Sequence, residues 1–430
     1  MGRRFASARA LALDVSPLRE SPAYRALWIG QIVSLAGTQM RYVAVAFQVF
    51  ALTGSTAAVG LLGLVEVVPL IVFSIIGGGI ADRYDRRTVV ARAQIGLIVA
   101  SAGLAAVSLA DRPSLAWIYG LTALSSAFGA VDRPARTAMV PQLVGEGKLA
   151  AAMALRQVAF QVTQIAGPAL GGVLLAALGG DVVIVYGIDA VTFFAALIAL
   201  RWVPSMPPAA DVTDAPGLEL IREGLRFSFR NRLILPIFLI DLVAMIFGMP
   251  RAVFPELAEQ TFGIGASGLG LLYASPAAGA LVGALTTGWV TRVSRQGLAV
   301  IVAVVCWGVA ITLAGLTLFS LWLTMLLLAL AGAADVVSAV FRGTILQEAT
   351  PDHLRGRVSA VNLMVVTGGP RLGDVEAGVV ADLRGAPASI VIGGAACLAG
   401  TAVVAGFFPA LRNYETVVSD AAPTKRTAAQ

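Results

Sequence analysis

The sequence predicts an all-α membrane protein of twelve transmembrane helices in two pseudo-repeated six-helix bundles, and three observations carry that prediction. Of 430 residues, 58% are hydrophobic and only 13% are charged, about half the charge of a soluble domain, so a water-soluble fold is excluded. The apolar runs, such as Ala299 to Leu318, do not alternate with polar residues, which fits helical spans of about 20 residues and excludes an outer-membrane barrel. A Gly-Pro segment recurs about 200 residues apart at matching places in the two halves, as internal repeats of membrane bundles do.

Breaks marked by charge, glycine or proline place the spans near 24–50, 57–80, 89–110, 115–138, 151–178 and 182–201, then near 233–254, 265–290, 297–318, 321–342, 358–381 and 386–408. The organisation that follows is an N-terminal tail 1–23, a first bundle 24–201, a linker 202–232, a second bundle 233–408 and a C-terminal tail 409–430. Near the N-terminus, Ala10 to Leu13 is too short an apolar core for a cleaved signal and Asp14 interrupts it, so that tail is read as cytoplasmic. Orientation rests on the 31 basic residues. With the N-terminus inside, 26 fall in the tails and inside loops, including Arg83, Arg86, Arg87, Arg133, Arg136, Lys148, Arg222, Arg226, Arg230, Arg292, Arg295, Arg355 and Arg357. Three, Arg112, Arg251 and Arg384, fall outside, and Arg41 and Arg371 lie within spans. That asymmetry is the positive-inside rule and places both termini in the cytoplasm. It also accounts for the formal charge of +6, with no nucleic-acid partner needed.

In the linker, Pro204, Pro207, Pro208 and Pro216 precede Leu218 to Phe229, where Leu218, Ile221, Leu225 and Phe229 share one helical face and Glu219, Arg222, Glu223 and Arg226 another. This is an amphipathic helix at the cytoplasmic surface. The tail after Arg412 is polar and reads as disordered.

Within the halves, Gly167-Pro168-Ala169-Leu170-Gly171 of span five matches Gly369-Pro370-Arg371-Leu372-Gly373 of span eleven. Likewise Asp132, Arg133 and Arg136 end span four, as Asp335 and Arg342 end span ten. Two related six-span halves are a common construction of secondary transporters, with substrate bound between them.

Catalytic and metal chemistry have little to stand on. Cys306 and Cys397 lie in apolar runs and read as small buried hydrophobes, and His353 as an ordinary loop residue. No metal site, cofactor or enzymatic activity is indicated. Gly263 to Gly268 matches a dinucleotide fingerprint but follows a membrane span, so it reads as a turn; with no phosphate-binding loop elsewhere, no nucleotide partner is expected.

The candidates for chemistry are charges inside the membrane, each costly unless paired or wetted: Arg41, Glu66, Asp189, Asp241, Asp335, Arg371, Asp374 and Glu376. Arg371 and Asp374, three apart, share a helix face, whereas Glu376 points about 140° away. Asp189 and Asp335 can equally be ties between helices. Arg41 and Glu66 both lie about 13 Å below the outer ends of spans one and two, so they are predicted to pair. A buried acid without a permanent cation suits proton binding and release.

The inside loop Gly78-Gly79-Ile80-Ala81-Asp82-Arg83-Tyr84-Asp85-Arg86-Arg87 resembles the loop signature of the major facilitator superfamily, with Asp85 where that signature has its second glycine. Gly167-Pro168-Ala169-Leu170-Gly171-Gly172 resembles the span-five signature of the superfamily's exporters, although Thr163 and Ala154 stand where earlier glycines of the pattern are expected. Gly30-Gln31, Gly37-Thr38-Gln39, Leu52-Thr53-Gly54-Ser55, Pro134-Ala135-Arg136 with Pro141, and Leu354-Arg355-Gly356-Arg357-Val358 resemble the enterobactin exporter and macrolide-efflux-like branch, over about residues 18–412. The resemblance implies the major facilitator fold, acting as a monomer in the lipid bilayer, and export of a small amphipathic molecule, siderophore or drug-like, by proton antiport. It implies proton-coupling or cavity roles for Arg41, Glu66, Asp241, Asp335, Arg371 and Asp374. It implies an inside gate at Gly78, Asp82, Arg83, Arg86, Arg87, Asp132 and Arg136, and an exporter-type helix bend at Gly167, Pro168, Gly171 and Gly172. Import or lysophospholipid flipping on the same fold, and a non-transporting sensor or scaffold, stay open at this point.

Overall fold

The computed structural model describes residues 14–207 and 217–416; the side chains at 75, 78, 81, 82, 217–221 and 291 lie outside the described residues. Among the described residues there is no strand, and twelve membrane helices follow in order. The first six are α1 (Pro22–Thr53), α2 (Thr56–Arg83), α3 (Arg86–Ser108), α4 (Leu115–Leu143), α5 (Leu149–Ala177) and α6 (Val182–Ala199). The second six are α7 (Ile234–Phe247), α8 (Gly265–Thr286), α9 (Gln296–Leu316), α10 (Leu321–Ala349), α11 (Arg355–Arg384) and α12 (Ala386–Phe407). Side-chain caps start several of them: Ser21, Ser55, Asp85 and Asp181 accept backbone N–H groups at the heads of α1, α2, α3 and α6. By length and apolar composition, nine described segments can cross a membrane. The other three, α1, α4 and α11, carry Arg41, the Asp132–Arg136 segment, and Arg371 with Asp374 and Glu376.

The seventh span departs from the prediction. Gly248, Met249 and Pro250 stop α7, since proline supplies no N–H to the helix ladder. The chain continues in short turns to Thr261, giving a membrane segment Ile234–Thr261. The predicted end at 254 is corrected, and Arg251 lies within this broken segment. Trp307 Nε1 donates to the freed Gly248 carbonyl at 2.8 Å. Cys306 is also corrected: it is exposed on α9, whereas Cys397 is buried. The start of the C-terminal tail is docked, with Thr416 N–H donating to Ser294 O at 2.9 Å and the Tyr414 hydroxyl to Glu348 at 2.7 Å.

Helices α1–α6 pack on one another, as do α7–α12, and the two bundles meet along α2 with α11 and α5 with α8. The repeated Gly-Pro segments occupy equivalent places: Gly167 and Gly171 lie against Gln39 and Met40 of α1, and Gly369 and Gly373 against Met245 and Ile246 of α7. A helix Gly217–Arg230 forms where the amphipathic pattern predicts one. Glu223 on it pairs with Arg357 of α11.

Contact between the bundles is concentrated toward the end carrying the 51–55 turn, the end that the charge distribution leads one to expect outside and that is termed outer below. There Gly60 and Gly63 of α2 lie directly under the Asp374 and Arg371 carbonyls of α11, and a Cβ on Gly172 of α5 would come within 2.7 Å of the Gly270 Cα on α8. Only small residues let two backbones approach so closely. Over positions 56–67 of α2 only Leu61 is exposed. Toward the other end Val72, Phe73 and Ser74 are all exposed, as are Ala284, Leu285 and Thr286 of α8. Three consecutive residues span about 200° of a helix, so these inner halves have lost their partner bundle. We read these uncovered faces as the walls of an inner cleft between the two halves.

Candidate functional site

Where the closed outer half gives way to the cleft, Arg371 of α11 reaches across the bundle interface to Glu66 of α2, Nη2 to Oε2 at 2.6 Å. The same guanidinium donates to the Tyr42 hydroxyl of α1 at 3.1 Å and stacks over its ring at 5.2 Å. Asp374, one turn along α11, stands 3.8 Å from it. Tyr42 meets Tyr273 of α8 edge to face at 5.4 Å, and the Tyr273 hydroxyl donates to the Arg251 carbonyl at 3.2 Å. Two carboxylates thus share one cation at a junction of both bundles, beside a small aromatic wall. The expected Arg371–Asp374 pairing is present, but Glu66 holds the nearer place.

The predicted Arg41–Glu66 pair is not formed. Arg41 Nε lies 3.2 Å from Asp189 Oδ2 of α6, and that oxygen also accepts from Ser101 of α3 at 2.6 Å. A further hydrogen bond joins Arg41 to Ser125 of α4. Arg41 and Glu66 match in depth but face different neighbours: α1 packs chiefly on α5 and α6, while α2 packs on α4 and α11. Arg41 therefore ties four helices inside the first bundle and leaves Glu66 to the other bundle. In the second bundle Arg342 of α10 meets Asp241 of α7 at 2.7 Å and Asp335 at 3.6 Å. Glu376, among the described residues, has no ion pair.

At the outer rim Asp382, near the end of α11, caps the first turn of α2 across the interface. One carboxylate oxygen accepts from Thr56 N–H at 2.8 Å, the Thr56 hydroxyl at 2.9 Å and Ala57 N–H at 3.3 Å. The other accepts from the Ser55 hydroxyl at 2.8 Å. The Thr56 hydroxyl also approaches the Gly378 carbonyl at 3.0 Å. Asp382 was missed in the sequence; a carboxylate opposite a Ser-Thr helix start is visible only once the helices are paired.

The residues expected to form an inside gate divide. Asp132 Oδ2 holds Arg136 Nε at 2.6 Å and its Oδ1 accepts from Gln94 at 3.0 Å, while Arg86 donates to the Ala138 carbonyl at 3.1 Å. All of these contacts stay within the first bundle. The side chains of Gly78 and Asp82 lie outside the described residues; Arg83 is exposed and Arg87 half-buried. Asp85, in place of the signature glycine, caps α3 through Thr88 N–H at 2.8 Å and accepts from Ser205 and Met206 N–H, each at 2.6 Å. Burial opposes its ionisation, but these hydrogen bonds outweigh burial and hold the carboxyl below its ordinary value.

Comparison with known proteins agrees with this architecture. A family profile described as transmembrane secretion effector matches residues 12–429. The chain is 33% identical over 350 residues to the enterobactin exporter EntS of Citrobacter koseri, covering 81% of this chain and 83% of that one. In fold it is similar to the nucleoside transporter NupG, with a TM-score of 0.72, 14% identity, and coverage of 90% and 99%. A bacterial homologue of the lysosomal transporter Spinster, solved inward-facing and unoccupied, gives 0.70 at 16% identity, covering 93% and 99%. These two likenesses speak for the fold alone.

Proposed function

The chain belongs to the transmembrane secretion effector family of the major facilitator superfamily, and from that premise we propose that it exports a siderophore-type amphipathic molecule in exchange for protons. Membership makes it a multi-pass inner-membrane transporter of a small molecule, and not an enzyme. The finer reading covers the direction, the coupling ion and the residues.

One observation supports it above the others: the Glu66–Arg371 pair joins the bundles while Asp374 adds a second carboxylate to the same guanidinium. Counted as Glu66, Asp374 and Arg371 alone, the ionised trio carries one negative charge in excess, with the Arg133 and Arg251 guanidinium groups within electrostatic reach, and one proton on either acid balances the trio. A proton on Glu66 leaves Arg371 to Asp374, which removes the ion pair between the halves. The bundles can then exchange partners, opening the outer rim where Asp382 and the glycine contacts hold them, as alternating access requires. The Asp241–Arg342–Asp335 cluster has the same excess but lies within one bundle, so its titration leaves the junction between halves intact. Both termini face the cytoplasm in this reading, and one chain suffices.

Everted membrane vesicles with an imposed pH gradient test the proposal, using enterobactin as the transported molecule. Wild-type protein accumulates it; Glu66→Gln binds it but does not accumulate it against a gradient. Full accumulation by both Glu66→Gln and Asp374→Asn rejects the junction as the proton site.

A further inference from the structure

Arg133 differs from the other charges near the junction. It is exposed and its side chain, among the described residues, has neither ion pair nor hydrogen bond, although it stands within electrostatic reach of Arg371, Asp132 and Glu66. Its neighbour Asp132 is buried and turned toward Gln94 and Arg136. Helix geometry fixes where Arg133 projects. Ser126, seven residues earlier on α4, donates to the Glu66 carbonyl at 2.7 Å. Seven residues return the helix to within about 20° of the same direction and advance it by about 10 Å toward the inner end. Arg133 therefore points into the inner cleft, two turns below Glu66.

A second feature borders that cleft. On α5, Gly167 faces Gln39 of α1, while Pro168 and Gly172 face Gly270 of α8. By helical angle Gln157, Gln161 and Gln164 fall between these two directions, within about 60° of one another. Gln157 is exposed and the other two are half-buried, with no side-chain hydrogen bonds among the described residues. Three amides at helical spacing thus line the gap between α1 and α8.

We propose that Arg133 is the anion-docking residue of the inner cleft, and that the transported class is an amphiphile bearing an acidic group, carboxylate, sulfonate or phenolate, whose remaining polar groups meet Gln157, Gln161 and Gln164. The inference rests on the reading of the cleft as the route by which substrate enters. Arg133 lies about 27 Å along α4 from Leu115, near the inner edge of a ~30 Å hydrocarbon core, so water entering the cleft from that side hydrates it until an anion replaces it. Its planar fork suits a bidentate oxyanion, and a charge-assisted contact of this kind is worth roughly tenfold to a hundredfold in affinity.

The test uses the full chain in zwitterionic nanodiscs and two probes with the same ring system, 8-anilinonaphthalene-1-sulfonate and the uncharged N-phenyl-1-naphthylamine. Saturable binding of the sulfonate is expected in wild type, with a loss of roughly tenfold or more in Arg133→Gln, little change for the uncharged probe, and most of the affinity kept in Arg133→Lys. Equal losses for both probes, or no loss, overturn the docking role. Saturable binding of the uncharged probe alone by wild type overturns the anionic class and leaves the export reading standing. Enterobactin transport in everted vesicles separates the two levels: Arg133→Gln with unchanged KM and kcat overturns the inference while export stands, and a raised KM with kcat kept supports it.

Discussion

Replacing Asp382 with alanine removes the acceptor for four hydrogen bonds at the head of α2: two from backbone N–H groups and two from the hydroxyls of Ser55 and Thr56. All four cross from one bundle to the other, so the substitution weakens the closed outer rim more than either bundle by itself. Loss of a helix cap costs about 1 kcal/mol. Loss of a negative charge at a helix start adds about 0.5 kcal/mol, a low figure taken because Asp382 is exposed and screened. Together these weaken outer closure by about 1.5 kcal/mol, roughly a tenfold shift toward opening. Spin labels near the outer ends of α2 and α11 report the shift as a growing long-distance population, and Asp382→Glu restores part of the wild-type distribution. An unchanged distribution in Asp382→Ala would refute the reasoning, as would an equal loss of thermal stability with no change in distance.

Other expectations follow from the same geometry. Gly63→Ala places a methyl against the Arg371 backbone, so it should separate α2 from α11 and lower transport with little loss of expression; the strain is about 1–3 kcal/mol, and unaltered transport would contradict the close approach. In a double-mutant cycle, Arg41→Met and Asp189→Leu should couple by more than about 1 kcal/mol, whereas Arg41→Met and Glu66→Gln should add; melting curves distinguish the two outcomes. Asp85 has a folded pKa below its unfolded one, so its stabilisation is present above the unfolded value of about 3.8 and fades as pH falls through the folded one. The gap in melting temperature between wild type and Asp85→Asn should therefore be full at pH 7 and shrink only below about pH 4; a gap that closes near pH 6 would assign it to another group.

What the sequence discloses and what it withholds divide along a physical line. Span positions follow from local apolar runs, and all twelve helices begin within a few residues of where those runs place them; the seventh departs at its far end, where Pro250 breaks a run that hydropathy cannot see as broken. Inner ends were the weakest boundaries. α4 and α10 run on to Leu143 and Ala349, past the expected ends at 138 and 342, so Arg133 and Arg136, counted with the inside charges, lie well within a helix. Charge partners are another matter. Arg41 and Glu66 have matching depth, yet depth is one coordinate and pairing needs the other two; only the lateral order of helices sends Arg41 to Asp189 and Glu66 to Arg371. The Gly-Pro repeat was legible because close backbone approach demands small residues in both halves. Arg133 had a signal within reach, its place seven residues from Ser126, but nothing in the sequence says that Ser126 faces Glu66.

Proton antiport through the Glu66–Arg371–Asp374 junction requires that substrate movement by itself drive protons the other way. Purified protein in liposomes that enclose a pH-sensitive dye, with enterobactin added outside, measures it without any imposed gradient. Inverted molecules should carry enterobactin inward and protons outward, alkalinising the lumen in wild type and in Asp241→Asn but not in Glu66→Gln. Enterobactin uptake with no lumenal pH change in wild type, or an undiminished change in Glu66→Gln, would contradict it.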